Sequence, residues 1–169
     1  MTQGLEWRYG HGDHHFVTTS CYGRRPYFAS PESRLIFERC LEVVRAKYEF
    51  KIDSYVVMPE HVHLLVSDPA RGDLSVVMQA LKVSVARRMR LRPFWQHRFY
   101  DFNVFTDEKR VEKRRYIHRN PYTRDLVAHP EEWAGSSYRR WAYGEKGVVE
   151  IESTCTFAER QRYWCYGCK

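Results

Sequence analysis

Hydrophobic and polar residues follow two rhythms along this chain, and the order in which they alternate predicts the fold. HFVTTSCY, His15 to Tyr22, is rich in β-formers and predicts a first strand. SPESRLIFERCLEVVRAKY follows after a short loop, with Ser30 placed to cap a helix and Pro31 at its first position. Ile36, Cys40, Val43, Val44 and Lys47 recur at helical spacing and mark the stripe expected to pack. FKIDSYVVM, Phe50 to Met58, and EHVHLLVSD, Glu60 to Asp68, predict a second and a third strand joined tightly through Pro59. In the third strand Val62, Leu64 and Val66 alternate as a core face should, so His61, His63 and Leu65 share the opposite face. Asp73 can cap a second helix with the stripe Leu74, Val77, Met78, Leu81, Val85 and Met89. FWQHRFYDFNVF, Phe94 to Phe105, predicts a fourth strand. TDEKRVEKRRYIHRN predicts a third helix, acidic first and basic last as the helix dipole favours, with Pro121 as its stop.

The order β-α-β-β-α-β, followed by one more helix, matches the split βαβ or ferredoxin-like α+β arrangement. It predicts an antiparallel sheet with two helices on one face and an added C-terminal helix. Residues 1–142 are expected to form the domain and 143–169 a peripheral tail. A chain of 169 residues is long enough to enclose a core. Composition adds one direction: 28 Lys and Arg against 21 Asp and Glu leave a net +7, which favours an anionic partner, nucleic acid first. A merely basic soluble protein would carry the same balance. No apolar run of signal-peptide or membrane-spanning length is visible, so no membrane is expected and the setting is read as cytoplasmic, at the nucleoid. Five Cys, an odd number, do not predict a disulfide framework. Cys165-x-x-Cys168 is half a zinc site or part of a loosely ordered tail, and HGDHH near the start is a flexible polar arm more readily than a metal tract.

Candidate chemistry begins at His61 and His63. Two imidazoles on one strand face can bind one divalent metal, but a lone His-x-His by itself favours a hydrogen-bonded pair of surface or core histidines. Tyr116 and Asn120 add to it. They stand one helical turn apart in RRYIHRNP, so both can face the same place. If that helix lies beside the third strand, a phenol and an amide oxygen reach the same metal. The residue before a proline is biased away from helical angles, so Asn120 is expected just at the helix end. His118, two residues from Tyr116, should face elsewhere, toward solvent or a phosphate.

VVMPEHVHLLV, FWQHRFYDFNVF and RRYIHRNP together resemble the single-tyrosine HUH transposases, specifically those of the REP-associated type. HHFVTTSCYGRR and WAGSSYRRW are also similar to that family, and the likeness spans about residues 14–142. The family's NPVxxGLV is NPYTRDLV here, a departure in the loop after the helix. The resemblance implies a ferredoxin-like nuclease domain that acts on single-stranded DNA beside a hairpin. It implies His61 and His63 as metal ligands, Asn120 as an additional amide ligand and Tyr116 as the nucleophile, which makes the added helix the catalytic one. It also implies a 5′-phosphotyrosine intermediate. Such a link conserves bond energy, so it suits strand transfer rather than degradation. Two imidazoles and an amide suit Mn²⁺, while Mg²⁺ prefers oxygen and keeps its waters; the ligand set does not choose between them.

Basic residues divide by position. Arg24 and Arg25 follow the first strand and could bind backbone phosphate or simply line a solvated loop. Arg87, Arg88, Arg90 and Arg92 end the second helix densely enough to favour DNA. Arg114, Arg115 and Arg119 flank the expected nucleophile. Trp95 and Tyr100 could stack bases or fill the core. Two rival functions use the same surface: a hairpin-binding protein without catalysis, and a hydrolytic nuclease that would not need Tyr116. The working unit is expected to be a monomer or a homodimer.

Overall fold

A computed structural model of the chain describes residues 14–151. Cys165, Cys168 and the start of HGDHH lie outside the described residues. Four strands form one sheet: β1, His14–Ser20; β2, Ile52–Val57; β3, His61–Ser67; and β4, Tyr100–Val104. Their order across the sheet is β2-β3-β1-β4, and all three pairings are antiparallel. Helices α1, Pro31–Tyr48, and α2, Leu74–Met89, cover one face. Helix α3, Asp107–Thr123, packs on the other, over β2 and β3. This is the split βαβ architecture that the alternation predicts.

Local chemistry starts each helix. The hydroxyl of Ser30 accepts from the Ser33 amide at 3.1 Å, and the carboxylate of Asp73 accepts from the Val76 amide at 2.9 Å. Thr106 does the same for Lys109 at the start of α3. The packed side of α1 is rotated from the expected stripe. Phe37, Cys40, Leu41 and Val44 are buried, while Val43 is 57% exposed. Phe37 and Leu41, the bulkiest apolar side chains at helical spacing, set the orientation.

Three further expectations are corrected. Strand β4 is shorter than Phe94–Phe105, because Phe94 and Trp95 turn into the core and pack with Phe28, leaving only an isolated bridge between Trp95 and Cys21 ahead of the continuous ladder. Pro121 does not stop α3, which runs to Thr123. A proline in the last turn removes only one amide, and the Arg124 amide still reaches the Asn120 carbonyl at 3.1 Å. Asn120 is therefore held within the helix. Strand β3 is buried on both faces, one under α1 and α2 and the other under α3.

The segment after α3 closes the free edge of β2. Val57 donates its amide to Gly135, Ser137 donates to Tyr55, and the Trp133 indole donates to the Val57 carbonyl at 3.0 Å. An exposed strand edge is a site of unwanted pairing, and here the chain covers its own. A short helix α4, Tyr138–Tyr143, then buries Trp141, and Val149 and Ile151 pack into the α1–α2 core. Among the described residues no helix is long and apolar enough to cross a membrane.

Candidate active site

Helix α3 is held from its inner side. Between the pairs Ile52–Val66 and Ser54–Leu65, Asp53 is an extra residue in β2, a bulge that re-aims its side chain. Arg114 grips Asp53 with two bonds, Nε to Oδ1 at 2.8 Å and Nη2 to Oδ2 at 2.6 Å, and its guanidinium lies 3.5 Å from the centre of the Trp141 ring. One turn on, His118 is buried and hydrogen-bonded to the Ser137 hydroxyl at 2.8 Å. Burial, with Arg114 adding to it, pushes His118 down to about 3. Both expectations for these residues are corrected. Arg114 is spent on a buried ion pair rather than offered to DNA, and His118 faces neither solvent nor phosphate.

With that side anchored, the other side of α3 overhangs β3. Tyr116, Asn120, Arg115, Arg119, Thr123 and Arg124 line a cleft of about 610 Å³ whose remaining walls are Thr18, Arg24, His61 and His63. Tyr116 is 51% exposed, with its ring centre 5.3 Å from that of His63 and 5.9 Å from that of Phe16. The helix thus brings together the four residues singled out in the sequence.

Each imidazole is held by its outer nitrogen. Glu60 Oε1 lies 3.1 Å from His61 Nδ1, and Thr18 Oγ1 lies 2.7 Å from His63 Nδ1. Burial alone would raise the Glu60 carboxyl, but the hydrogen bond from Arg124 and the nearness of His61 outweigh it and hold it low. An ionised carboxylate only accepts, so His61 carries its proton on Nδ1 and its Nε2 is the acceptor of the hydrogen bond with His63. That Nε2 stands 3.0 Å from Nε2 of His63. Burial lowers both imidazoles, and burial together with the adjacent His61 takes His63 down to about 3. Both rings are therefore neutral near pH 7, and a cation that took the place of the proton shared between the two Nε2 atoms would meet a lone pair from each.

The donor set that could hold a cation is completed by an orphan. The carboxamide oxygen of Asn120 is buried and has no hydrogen-bond partner. A buried oxygen without a partner costs about 1–3 kcal/mol, and a cation in the cleft would remove that cost. Among the described residues no group of three His, Cys, Asp or Glu could hold a metal. An ion here would therefore rest on two imidazoles and one amide oxygen, with positions left for water and phosphate.

Of the other basic residues, Arg24, Arg115 and Arg119 line the cleft walls. Arg25 is exposed beside them on the loop but does not line it. Arg87, Arg88, Arg90 and Arg92 are exposed at the end of α2, the helix on the opposite sheet face, and none lines the cleft. Sequence reasoning missed Thr18, Glu60 and Arg124. Arg124 has a visible signal, since it stands one turn beyond Asn120 and two beyond Tyr116. Thr18 has none, because only the β1–β3 register sets it opposite His63.

A sheet of this topology with a helix-borne tyrosine over two strand histidines defines a class, and comparison with known proteins assigns it. The chain belongs to the transposase IS200-like family, whose model matches residues 11–120. It is 25% identical over 126 residues to the REP-associated tyrosine transposase of Escherichia coli K12, covering 74% of this chain and 76% of that protein. It is 26% identical over 108 residues to a putative REP-associated tyrosine transposase of Haemophilus influenzae, covering 55% of this chain and 61% of that one. Its fold matches the solved structure of a REP-associated tyrosine transposase bound to a REP hairpin, with a TM-score of 0.73 at 21% identity over 94% of this chain and 96% of that one.

Proposed function

We propose that this transposase cleaves and rejoins single-stranded DNA next to a hairpin, using Tyr116 as nucleophile and a divalent metal, Mg²⁺ or Mn²⁺, held by His61, His63 and Asn120. The observation that carries the reading is the meeting of an exposed Tyr116, two converging imidazole nitrogens and an orphan amide oxygen in one basic cleft. The hairpin is argued by likeness: a protein of the same fold is described as bound to one.

The metal, when bound, would neutralise charge on a phosphate oxygen and make phosphorus more electrophilic. The chain's own residues do the rest. Arg115 and Arg119 draw the DNA backbone toward the cleft. Tyr116 attacks phosphorus, forming a bond from its phenolic oxygen to the 5′-phosphate as the bond to the 3′ oxygen breaks. The phenol gives up its proton, and the departing oxygen leaves as a 3′-hydroxyl. The new phosphodiester joins protein to DNA without loss of a high-energy bond, so a second 3′-hydroxyl can reverse the step and rejoin strands. Thr18 and Glu60 keep His63 and His61 oriented throughout.

An end-labelled hairpin oligonucleotide with a single-stranded flank tests this on a denaturing gel. The wild type with Mn²⁺ should give a cut product and a covalent protein–DNA band. Tyr116→Phe should bind with undiminished affinity and give neither. Chelation should remove both products and spare binding. Cleavage that survives in the Phe variant would identify attack by water, and binding with no cleavage in any metal would identify a hairpin-binding protein instead.

A further inference from the structure

Helix α3 packs chiefly over β2 and β3 and buries Phe16 of β1 and Val104 of β4 with Ile117, but among the described residues it leaves Tyr100 and Phe102 of β4, on the same sheet face, open to solvent. A sheet face left to water normally carries polar side chains. This one carries aromatics. Tyr100 pairs with Thr18 and Phe102 with Phe16, and directly paired residues point to the same side. Thr18 bonds His63 and Phe16 stacks on His63 with ring centres 5.2 Å apart, so Tyr100 and Phe102 lie on the face that holds the cleft. They are 58% and 36% exposed, at the edge strand of the sheet.

A cation stands over this floor. Lys113, one turn before Tyr116 on α3, places Nζ 4.7 Å from the centre of the Phe16 ring and 5.2 Å from that of Phe102. Among the described residues no carboxylate forms an ion pair with it. The result is an aromatic surface with one cation above it, adjoining His63 through the Phe16 ring. Flat π-faces beside a cation are complementary to unpaired bases on an anionic backbone, whereas duplex DNA hides its base faces.

We propose that Tyr100 and Phe102 form a stacking track for the unpaired bases that flank the phosphate in the cleft, with Lys113 on the backbone between them. The inference rests on the reading of the cleft as a single-strand site and extends it to the residues that grip the strand. A second copy of this chain is the competing occupant. It would use the backbone edge of β4, which no strand among the described residues pairs, at right angles to the side chains, and would gain little from aromatic rings that point off the face.

The probe is a short oligothymidylate carrying one 2-aminopurine at each position in turn, added to the full-length chain without metal. Stacking on an aromatic ring quenches the probe. Quenching should appear at neighbouring positions with the wild type. Tyr100→Ala and Phe102→Ala should each abolish part of it and weaken binding about 5- to 150-fold, the range for loss of one stacked base. Phe102→Trp should restore it. Phe105→Ala, an exposed aromatic just past the strand and out of its alternation, should change nothing. Unchanged melting temperatures would show that the Ala variants remain folded. If both keep full quenching and affinity, the track is wrong. If they instead dissociate a dimer in sedimentation, the face is a self-association surface and the track is again wrong. The assay needs no cleavage, so the two readings fail separately. A covalent Tyr116 adduct with unaltered quenching sinks only the track, and quenching lost in the variants without any adduct sinks only the Tyr116 chemistry.

Discussion

At the scale of single residues, Glu60 is the least conspicuous member of the site and carries a specific burden. Its carboxylate holds the proton of His61 on Nδ1 and is itself tied to Arg124, with Arg24 3.6 Å away. Carboxylates behind ligating histidines fix ring orientation and raise basicity, and their loss costs about 10–100-fold in metal affinity. Glu60→Gln should weaken Mn²⁺ binding by that order while leaving the melting temperature nearly unchanged. Nitrogen NMR of the metal-free protein should show His61 losing its single tautomer. Equal Mn²⁺ affinity in both proteins would remove Glu60 from this role. The four principal residues were legible in the sequence because strand and helix periods place them locally, two residues apart in β3 and one turn apart in α3. Thr18 was not, because its relation to His63 spans 45 positions and exists only through sheet pairing.

At the scale of elements, the placement of α3 decides whether Tyr116 reaches the histidines at all. The helix is highly polar, with few apolar side chains to seat it, and the buried Arg114–Asp53 pair does that work with Ile117 and His118. Removing one partner of a buried ion pair strands the other, at a cost of about 3–5 kcal/mol. Arg114→Ala should therefore lower unfolding stability by about that amount in urea titrations. A DNA contact would behave differently: Arg114→Ala would then weaken binding and leave stability untouched. The charge run in EKRRYIHR gave no sign of this division of labour. A bulge in β2 selects which arginine is swallowed, and bulges leave little trace in a hydrophobic pattern.

At the scale of the whole molecule, one buried charge cluster ties three strands together. His15 in β1 reaches Asp101 in β4 at 3.1 Å and Asp68, just past β3, at 2.7 Å. Burial works against the imidazolium, but the two carboxylates outweigh it and raise His15 above its ordinary value. A raised histidine stabilises the fold fully below its unfolded value of about 6.5 and loses that contribution as pH rises through the folded one. The contribution of this residue should therefore fall from pH 6 upward by at most about 1.4 kcal/mol per pH unit, while the lowered His61, His63 and His118 act with the opposite sign. The stability difference between the wild type and His15→Gln should accordingly shrink as pH rises across this range in denaturant titrations. A difference that stays constant through the window would exclude the charged cluster.

The sequence alone determined the order of elements, the helix caps, and the facing of His61 with His63 and of Tyr116 with Asn120. All of these depend on neighbours within a few residues, where the periods of strand and helix are set by backbone geometry. The tertiary structure alone decided where α3 lies, that it packs chiefly over β2 and β3, and hence which arginines face the cleft and which is buried. It also decided that Tyr100 and Phe102 stand in the open. Those outcomes turn on contacts between residues far apart in the chain, Asp53 with Arg114 and Thr18 with both His63 and Tyr100. Burial is a property of what comes to lie on top of a residue, and no local pattern carries that information.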